Sequence, residues 1–343
     1  MSEKIKVLIT AVGAPPGYNA AKALGSCPGI SIVPVDASEY AFGLYRFNGV
    51  HSYVVPPAKR EDEYVQALLR IAKRERARVI LPCLEDEILV LSKRKTQFSK
   101  AGISLPIPEY EQVIQGTDKF RLNQIAERLG IPHPKTREIK KPDDISKNDL
   151  SFPVILKPKI SHGGRGFVQV ANRAELAQRA EELLGQYPAL VLQEFVPGRE
   201  GSILLCGLLY DCEGRLKASF LSRSLRTLYS FGGPAMVGEP IEDSPIRDWS
   251  VRIVEAIGPW VGPVNLEFKL HESKKIPYLL ELNPRLWGYG SLPVFCGINF
   301  PYLTVKVALR KAFRAQHRYD LDKVMIRAYE DFSVEQKELK SVC

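Results

Sequence analysis

Two glutamates, an asparagine and an arginine near residue 280 are the side chains of this sequence best suited to chemistry. In Tyr278-Leu-Leu-Glu-Leu-Asn-Pro-Arg-Leu-Trp-Gly-Tyr-Gly-Ser291 the front half alternates. Alternation places Leu279, Glu281 and Asn283 on one face of a strand and Tyr278, Leu280 and Leu282 on the other. Upstream, Val264-Asn-Leu-Glu-Phe-Lys-Leu270 repeats the pattern, with Asn265, Glu267 and Lys269 on one face. The polar stretch His271-Glu-Ser-Lys-Lys-Ile-Pro277 between them predicts an antiparallel hairpin. Such a hairpin brings Glu267, Glu281 and Asn283 together as oxygen donors. Side-by-side carboxylates repel unless protonated, solvated or bridged by a cation. Hard oxygen ligands that leave positions open suit magnesium carrying a substrate phosphate. Arg285, just past the strand, adds a planar fork suited to phosphate or carboxylate. The plain alternative is a solvated sheet face with a chance carboxylate pair; the Asn-Pro-Arg turn and its glycines weigh against it.

The elements that must position these groups read as α/β. Lys4-Ile-Lys-Val-Leu-Ile-Thr10 is a buried-type strand, followed by a Gly/Pro loop through Gly17 and a helix over residues 18–24. Ser31-Ile-Val-Pro-Val-Asp36 is a second strand ending in a carboxylate, the opening of a doubly wound domain. Asp36 invites a dinucleotide reading, but Gly13 and Gly17 do not complete GxGxxG. A helix over 61–76 leads to the strand Val79-Ile-Leu-Pro-Cys83, whose end carries Glu85, Asp86 and Glu87, where such sheets line a ligand crevice or simply turn in solvent. Thr117 or Asp118 can cap a helix over 120–129. Lys119 then falls in the first turn, where a cation opposes the helix dipole and so has reason to serve something else. Phe152-Pro-Val-Ile-Leu-Lys-Pro158, the glycine run Gly163-Gly-Arg-Gly166 and Phe167-Val-Gln-Val170 form a strand, loop and strand. That pattern is a flexible hairpin lid rather than a Walker loop, because GK[ST] and a following helix are missing. Its glycines let backbone amides close on phosphate oxygens near Lys157.

At 343 residues the chain exceeds one ordinary domain. The net charge of +9, from 48 basic and 39 acidic residues, suits anionic ligands. The charges are interleaved, with no stretch resembling a nucleic-acid-binding module. No run of spanning length and no signal peptide is expected. The six cysteines have neither CxxC nor zinc spacing, which predicts a reducing, cytoplasmic setting.

Lys157, the glycine lid, the run Gln193-Glu-Phe-Val-Pro-Gly-Arg-Glu200 and Asn283-Pro-Arg-Leu-Trp-Gly288 together resemble the ATP-grasp superfamily, in the style of the carbamoyl-phosphate-synthase-large-subunit-like carboxylate–amine ligases. The resemblance implies a Rossmann-like pre-ATP-grasp domain over 1–112 and an α+β ATP-grasp fold of two lobes over 113–312. Residues 113–190 would bear the lid, 191–312 the hinge and metal-binding lobe, and 313–343 a tail with an added edge strand around 323–329 and a frayed end. It further implies ATP and magnesium, with two ions that manganese can replace. By motif, Lys119 and Lys157 would contact phosphates, and Gly163, Gly164 and Gly166 would form the lid. Glu194 and Val196 would meet adenine through their backbones, with Glu200 on the ribose. Glu267, Glu281 and Asn283 would hold magnesium, and Arg285 would bind the transferred phosphate or an acyl phosphate. Arg223 or Arg226, ahead of the Gly232-Gly233 loop, is placed at the side of the substrates, a small carboxylate and an amine, as is Glu85; solvated arginines on a loop are the plain alternative. A homodimer through the first domain is compatible with the family. Two departures stand out: Ser202-Ile-Leu204 has an apolar residue where family hinges are often acidic, and Arg165 adds a charge to the lid. A catalytically idle ATP-binding sensor and a nicotinamide oxidoreductase are the competing readings.

Overall fold

The structure is a computed structural model describing residues 4–147, 149–161, 164–229, 232–242, 244–328 and 330–343. The chain opens with β1 (Ile5–Ile9), α1 (Pro15–Gly25), β2 (Ile30–Asp36), β3 (Tyr53–Val54), α2 (Glu61–Glu75), β4 (Val79–Leu81), α3 (Glu85–Lys93) and α4 (Lys95–Lys100). The four strands are parallel, in the order β3-β2-β1-β4. A parallel sheet covered on both faces needs apolar residues at consecutive positions. β1 supplies them: Val7 and Ile9 pack with α1, while Leu8 packs with α2 on the opposite face. Pro15 and Pro16 occupy the first turn of α1, where a missing N–H costs no helical hydrogen bond, so the helix starts at Pro15 rather than Tyr18.

Glu75, at the end of α2, anchors this domain's edge. Its side chain is 6% exposed and 2.7 Å from the Lys6 ammonium, and it accepts hydrogen bonds from Tyr53 and from His51. Burial alone pushes the carboxyl up, but Lys6, Tyr53 and His51 outweigh it and bring it from the ordinary 4.5 down to about 2. A depressed carboxyl stabilises the fold above its unfolded value, and that contribution is lost as pH falls from about 4.5 towards 2. Urea midpoints measured at pH 6 and pH 3 should therefore differ less in Glu75→Gln than in the wild type. Equal differences would show that Glu75 carries no such linkage.

α5 (Tyr110–Thr117) and α6 (Lys119–Arg128) lead to β5 (Thr136–Ile139), β6 (Val154–Pro158), β7 (Val168–Val170), α7 (Arg173–Leu184) and β8 (Leu190–Glu194). These strands form an antiparallel sheet in the order β5-β8-β6-β7, with α7 packed against it. β6 and β7 pair as the expected hairpin. Next come β9 (Ile203–Tyr210), β10 (Leu216–Tyr229), β11 (Gly232–Pro240), α8 (Pro245–Ile257), β12 (Gly262–Leu270), β13 (Pro277–Asn283), α9 (Ser291–Phe295), α10 (Phe300–Ala308) and β14 (Met325–Ile326). They build a six-stranded antiparallel sheet, β13-β12-β9-β10-β11-β14. One face packs on α6 and α8. The other shares a core with α1, α10 and one face of the first domain's sheet. Among the described residues no helix is long and apolar enough to cross a membrane.

Two readings of the sequence are corrected. The segment carrying Arg223 and Arg226 is not a loop but the long strand β10, paired on both sides. The tail does more than add the edge strand β14: its end docks, with Cys343 N donating to Val54 O at 2.9 Å and Lys340 N to the Tyr45 hydroxyl at 3.2 Å.

Candidate active site

The β12–β13 hairpin sets Glu267 opposite Glu281 and Asn265 opposite Asn283. Strict alternation fails once, at a bulge: the partner of Phe268 is Leu279, so Leu280 is the extra residue. Leu279 thus turns into the core with Phe268 and Leu282, away from the face of Glu281 where strict alternation had put it. The bulge lets both carboxylates share a face while the strand keeps its apolar residues inside.

Around this pair the polar groups are interlocked. Asn283 Nδ2 donates to Glu281 Oε1 at 3.1 Å and to Glu267 Oε1 at 3.4 Å, and Asn265 Nδ2 donates to Glu267 Oε1 at 3.4 Å. Burial and the neighbouring Glu281 hold Glu267 well above the usual carboxylate range, with Arg285 opposing them. Burial and the nearby Lys119 push Lys157 down to about 7, while Glu281 and Glu267 pull it back. Lys119 is buried despite its place in the first turn of α6, and its Nζ donates to Ser161 O at 2.7 Å. Burial lowers it too, against Glu281, Glu85 and Asp118. Asp118 caps α6, accepting from the N–H of Phe120 and of Arg121.

Arg285 is held by the first domain. Its Nε lies 2.7 Å and its Nη2 2.6 Å from Glu85 Oε1, with side chains 14% and 6% exposed. Nη2 also reaches Asn283 Oδ1 at 3.3 Å. Glu85, Asp86, Thr117, Lys119, Ser161, Glu281 and Asn283 line one cleft of about 40 Å³. Glu85 therefore stands at the site through its pairing with Arg285. Glu87 turns inward instead, accepting from Thr10 Oγ1 and from the N–H of Cys83 and of Leu84 to close the start of α3. Asp36 is likewise engaged, taking the N–H of Gly13 at 2.7 Å and of Ser38 at 2.9 Å. It ties down the Gly/Pro loop that suggested a dinucleotide.

The remaining predicted residues are not in the lining of this cleft, although Arg165, between Gly164 and Gly166, lies 3.7 Å from Asp86 at its edge. Gly164 and Gly166 have φ of 73° and 70°, backbone that glycine adopts without strain. Gly163 lies outside the described residues. At the hinge, Glu194 pairs with Val154 across β8 and β6, and its carboxylate accepts from Lys135 N at 3.1 Å. Val196 is buried. Phe195 lies under the Lys269 ammonium, 5.2 Å from the ring centre. Glu200 and Arg223 line a different, larger cleft of about 320 Å³ with Arg199 and Lys275. Arg223 lies 3.8 Å from Glu239, and Arg226 is exposed. Asn265 is the group sequence reasoning underused: its alternation already placed it beside Glu267.

A divalent ion implied by the family can be tested against these donors. Among the described residues no three His, Cys, Asp or Glu side chains gather closely enough to hold a metal alone. The donor set is instead two carboxylates with two amides. Asn265 Oδ1 is buried and has no hydrogen-bond partner among the described residues. Glu267 is pushed up by burial and by Glu281, a repulsion that a bound cation relieves. Asn283 turns its NH₂ to the carboxylates here, so it would ligate through oxygen only after a half-turn of its amide. Two carboxylates and an amide oxygen with open positions fit magnesium shared with phosphates.

Comparison with known proteins gives the fold its family. A model described as "PylC-like, N-terminal domain" matches residues 7–106, and one described as "ATP-grasp in the biosynthetic pathway with Ter operon" matches 186–332. Residues 186–332 are an ATP-grasp domain. It is 26% identical over 239 residues to the carbamoyl phosphate synthase large chain of Thermus thermophilus, covering 66% of this chain but only 22% of that protein. It is 29% identical over 210 residues to a probable alpha-L-glutamate ligase of Xanthomonas oryzae pv. oryzae, covering 59% of this chain and 68% of that one. Among solved structures, this chain resembles the N5-carboxyaminoimidazole synthetase from Staphylococcus aureus complexed with ADP. The TM-score is 0.74 at 16% identity, over 96% of this chain and 83% of that one. The L-amino acid ligase from Bacillus licheniformis follows at a TM-score of 0.69 and 18% identity, over 91% and 75%. At those identities the structural likeness establishes the shared fold.

Proposed function

We propose that this chain is an ATP- and magnesium-dependent ligase that activates a small carboxylate as an acyl phosphate and joins it to an amine, releasing ADP and phosphate. The observation that supports the reading is a cleft lined by Lys119, Glu281 and Asn283, with Glu267 and Arg285 hydrogen-bonded to Asn283 and Lys157 close enough to feel Lys119, Glu281 and Glu267. Glu267, Glu281 and one amide oxygen hold magnesium, two ions that manganese can replace. Bound there, the metal neutralises the triphosphate and polarises its terminal phosphoryl group.

The chain's own residues supply positioning and charge. Lys157 and Lys119, depressed by burial beside one another, are best stabilised as ammonium ions when phosphate oxygens arrive between them. The Gly164 and Gly166 backbone closes over the phosphates, with Gly163 as the third member of the lid. Glu194 and Val196 offer backbone groups to adenine, and Glu200 meets the ribose. Arg285 steadies the transferred phosphoryl group, so attack by a carboxylate oxygen meets less negative repulsion. The amine then displaces phosphate from the acyl carbon, and no side-chain nucleophile is required. Arg223, Arg226 and Glu85 are proposed on the side of the acid and the amine.

The test is a screen for ADP and phosphate release over amino acids and small carboxylates, followed by mass spectrometry of the product. We expect ADP release that requires a particular acid and amine together, with a product mass equal to their sum less water. ATP binding without ADP release in every mixture supports a sensor instead. Thermal stabilisation by a nicotinamide dinucleotide, with indifference to ATP, overturns the assignment.

A further inference from the structure

The last residues of the sequence bridge the two halves of the molecule and grip, on the way, the loop that carries Arg285. β14 adds to the edge of the large sheet through Met325 and Ile326, opposite Gly238 and Val237. Arg327 N continues the pairing to Met236 O at 2.8 Å. Beyond it the chain leaves the sheet and follows the first domain. Glu330 pairs with Arg46 at 2.8 Å, and the same arginine lies over the Phe332 ring. Lys340 N donates to the Tyr45 hydroxyl, Val342 bridges Val54 in parallel, and Cys343 N donates to Val54 O. These contacts fix both ends of the segment, one on each half.

Between them, the Arg327 guanidinium donates to the carbonyl oxygen of Gly288. That oxygen also accepts from Asn19 Nδ2 of α1 at 2.8 Å. Gly288 lies three residues after Arg285 in a stretch with few bonds of its own, Arg285 N to Asn283 O and Gly290 N to Trp287 O among them. A carbonyl gripped by a cationic donor from the tail and an amide donor from the first domain is pinned from two sides. A bond from a charged donor is among the stronger single contacts available.

We propose that residues 325–343 are a strap that sets the position of the 283–290 loop, with Arg327 as its positioning residue. The role in turnover rests on the ligase reading, in which Arg285 meets the phosphoryl group; the mechanical role does not. Arg327 acts through Gly288, and the rest of the strap sets where Arg327 itself stands.

Hydrogen–deuterium exchange on the full chain, on Arg327→Ala, on Arg327→Lys and on a chain shortened after residue 328 tests this. Arg327→Ala is expected to speed exchange of the amides in 285–290 about tenfold, the scale of one lost hydrogen bond from a charged donor. Lysine, which keeps a cationic donor, should recover most of that protection. The shortened chain keeps Arg327 but loses its anchorage, and should loosen the same amides. Binding of mant-ADP with magnesium should change less than ADP formation in every variant, because, of the groups assigned to the metal and ADP, the loop carries only Asn283, which is held in the β12–β13 pairing. Unchanged loop exchange in Arg327→Ala, or in the shortened chain, overturns the strap. ADP formation should fall about tenfold in Arg327→Ala, in step with the lost contact, and recover in Arg327→Lys; a loosened loop with an unaltered ADP rate overturns the link to Arg285. If the wild type forms no ADP with any acceptor, the ligase reading fails, and the exchange results still decide the strap.

Discussion

Glu281→Gln should lower ADP formation about a thousandfold, the scale seen when one preorganised electrostatic contact to a reacting group is removed, while the unliganded protein keeps its fold. Glutamine is nearly isosteric, and its side-chain oxygen can still accept from Asn283 Nδ2, which lies 3.1 Å from Glu281 Oε1. What disappears is one of two negative charges facing each other across β12 and β13. In the empty site that pairing is unfavourable, since Glu281 is among the groups that push Glu267 up. Thermal stability of the unliganded variant should accordingly equal or exceed that of the wild type. With magnesium and ADP the order should reverse, because binding stabilises in proportion to affinity and the variant has lost a ligand. A catalytic loss accompanied by unchanged or higher apo stability separates this role from ordinary misfolding. Turnover within about tenfold of wild type, under conditions where the wild type responds to magnesium, would remove Glu281 from the site.

The hairpin, and the alternation of Glu267 with Asn265 and of Glu281 with Asn283, were legible because a period of two needs no distant information; that the two carboxylates share one face depends on the bulge. The bulge at Leu280 was not legible, since nothing in Leu279-Leu-Glu281 distinguishes the extra residue until Phe268 is seen to need Leu279 in the core. Lys119 stood out because a lysine in a first helical turn is locally unfavourable, and the structure buries it at the cleft. Asp36 was ambiguous: a carboxylate at a strand end invites a ribose, the incomplete glycine fingerprint weighed against it, and its hydrogen bonds to Gly13 and Ser38 show what it does instead. The Glu85–Arg285 pair spans 200 residues, and no local pattern reports a contact of that kind. The tail shows the same limit. Its alternation announced an edge strand, but its docking depends on Tyr45, Arg46 and Val54, which belong to another domain. A solvated loop was one open reading of Arg223 and Arg226; β10 forms there because both β9 and β11 supply backbone partners.

Gly207→Ala should destabilise the protein by about 2 to 3 kcal/mol, the cost of overpacking a filled interior, and should also disturb the site. Gly207 lies on β9 opposite Asn265, on the face that carries Glu267. The Trp287 indole lies directly on it: a Cβ built there would stand 2.2 Å from one ring carbon and within 2.7 Å of two more. No real Cβ contact is that short, so the ring must move. It has little room, being 2% exposed and packed edge-on against Phe300 at 4.9 Å. Trp287 is two residues from Arg285, so a displaced indole drags the loop away from Glu85 and Asn283. Alanine here should therefore lower both the melting midpoint and ADP formation. The discriminating measurement is a double-mutant cycle with Trp287→Leu. If contact with the indole is the cause, Gly207→Ala should cost much less when combined with Trp287→Leu, because the smaller side chain leaves space for the methyl group. An equal cost with and without the indole would place the defect in the β9 backbone and break the proposed connection between this glycine and the arginine it helps to seat.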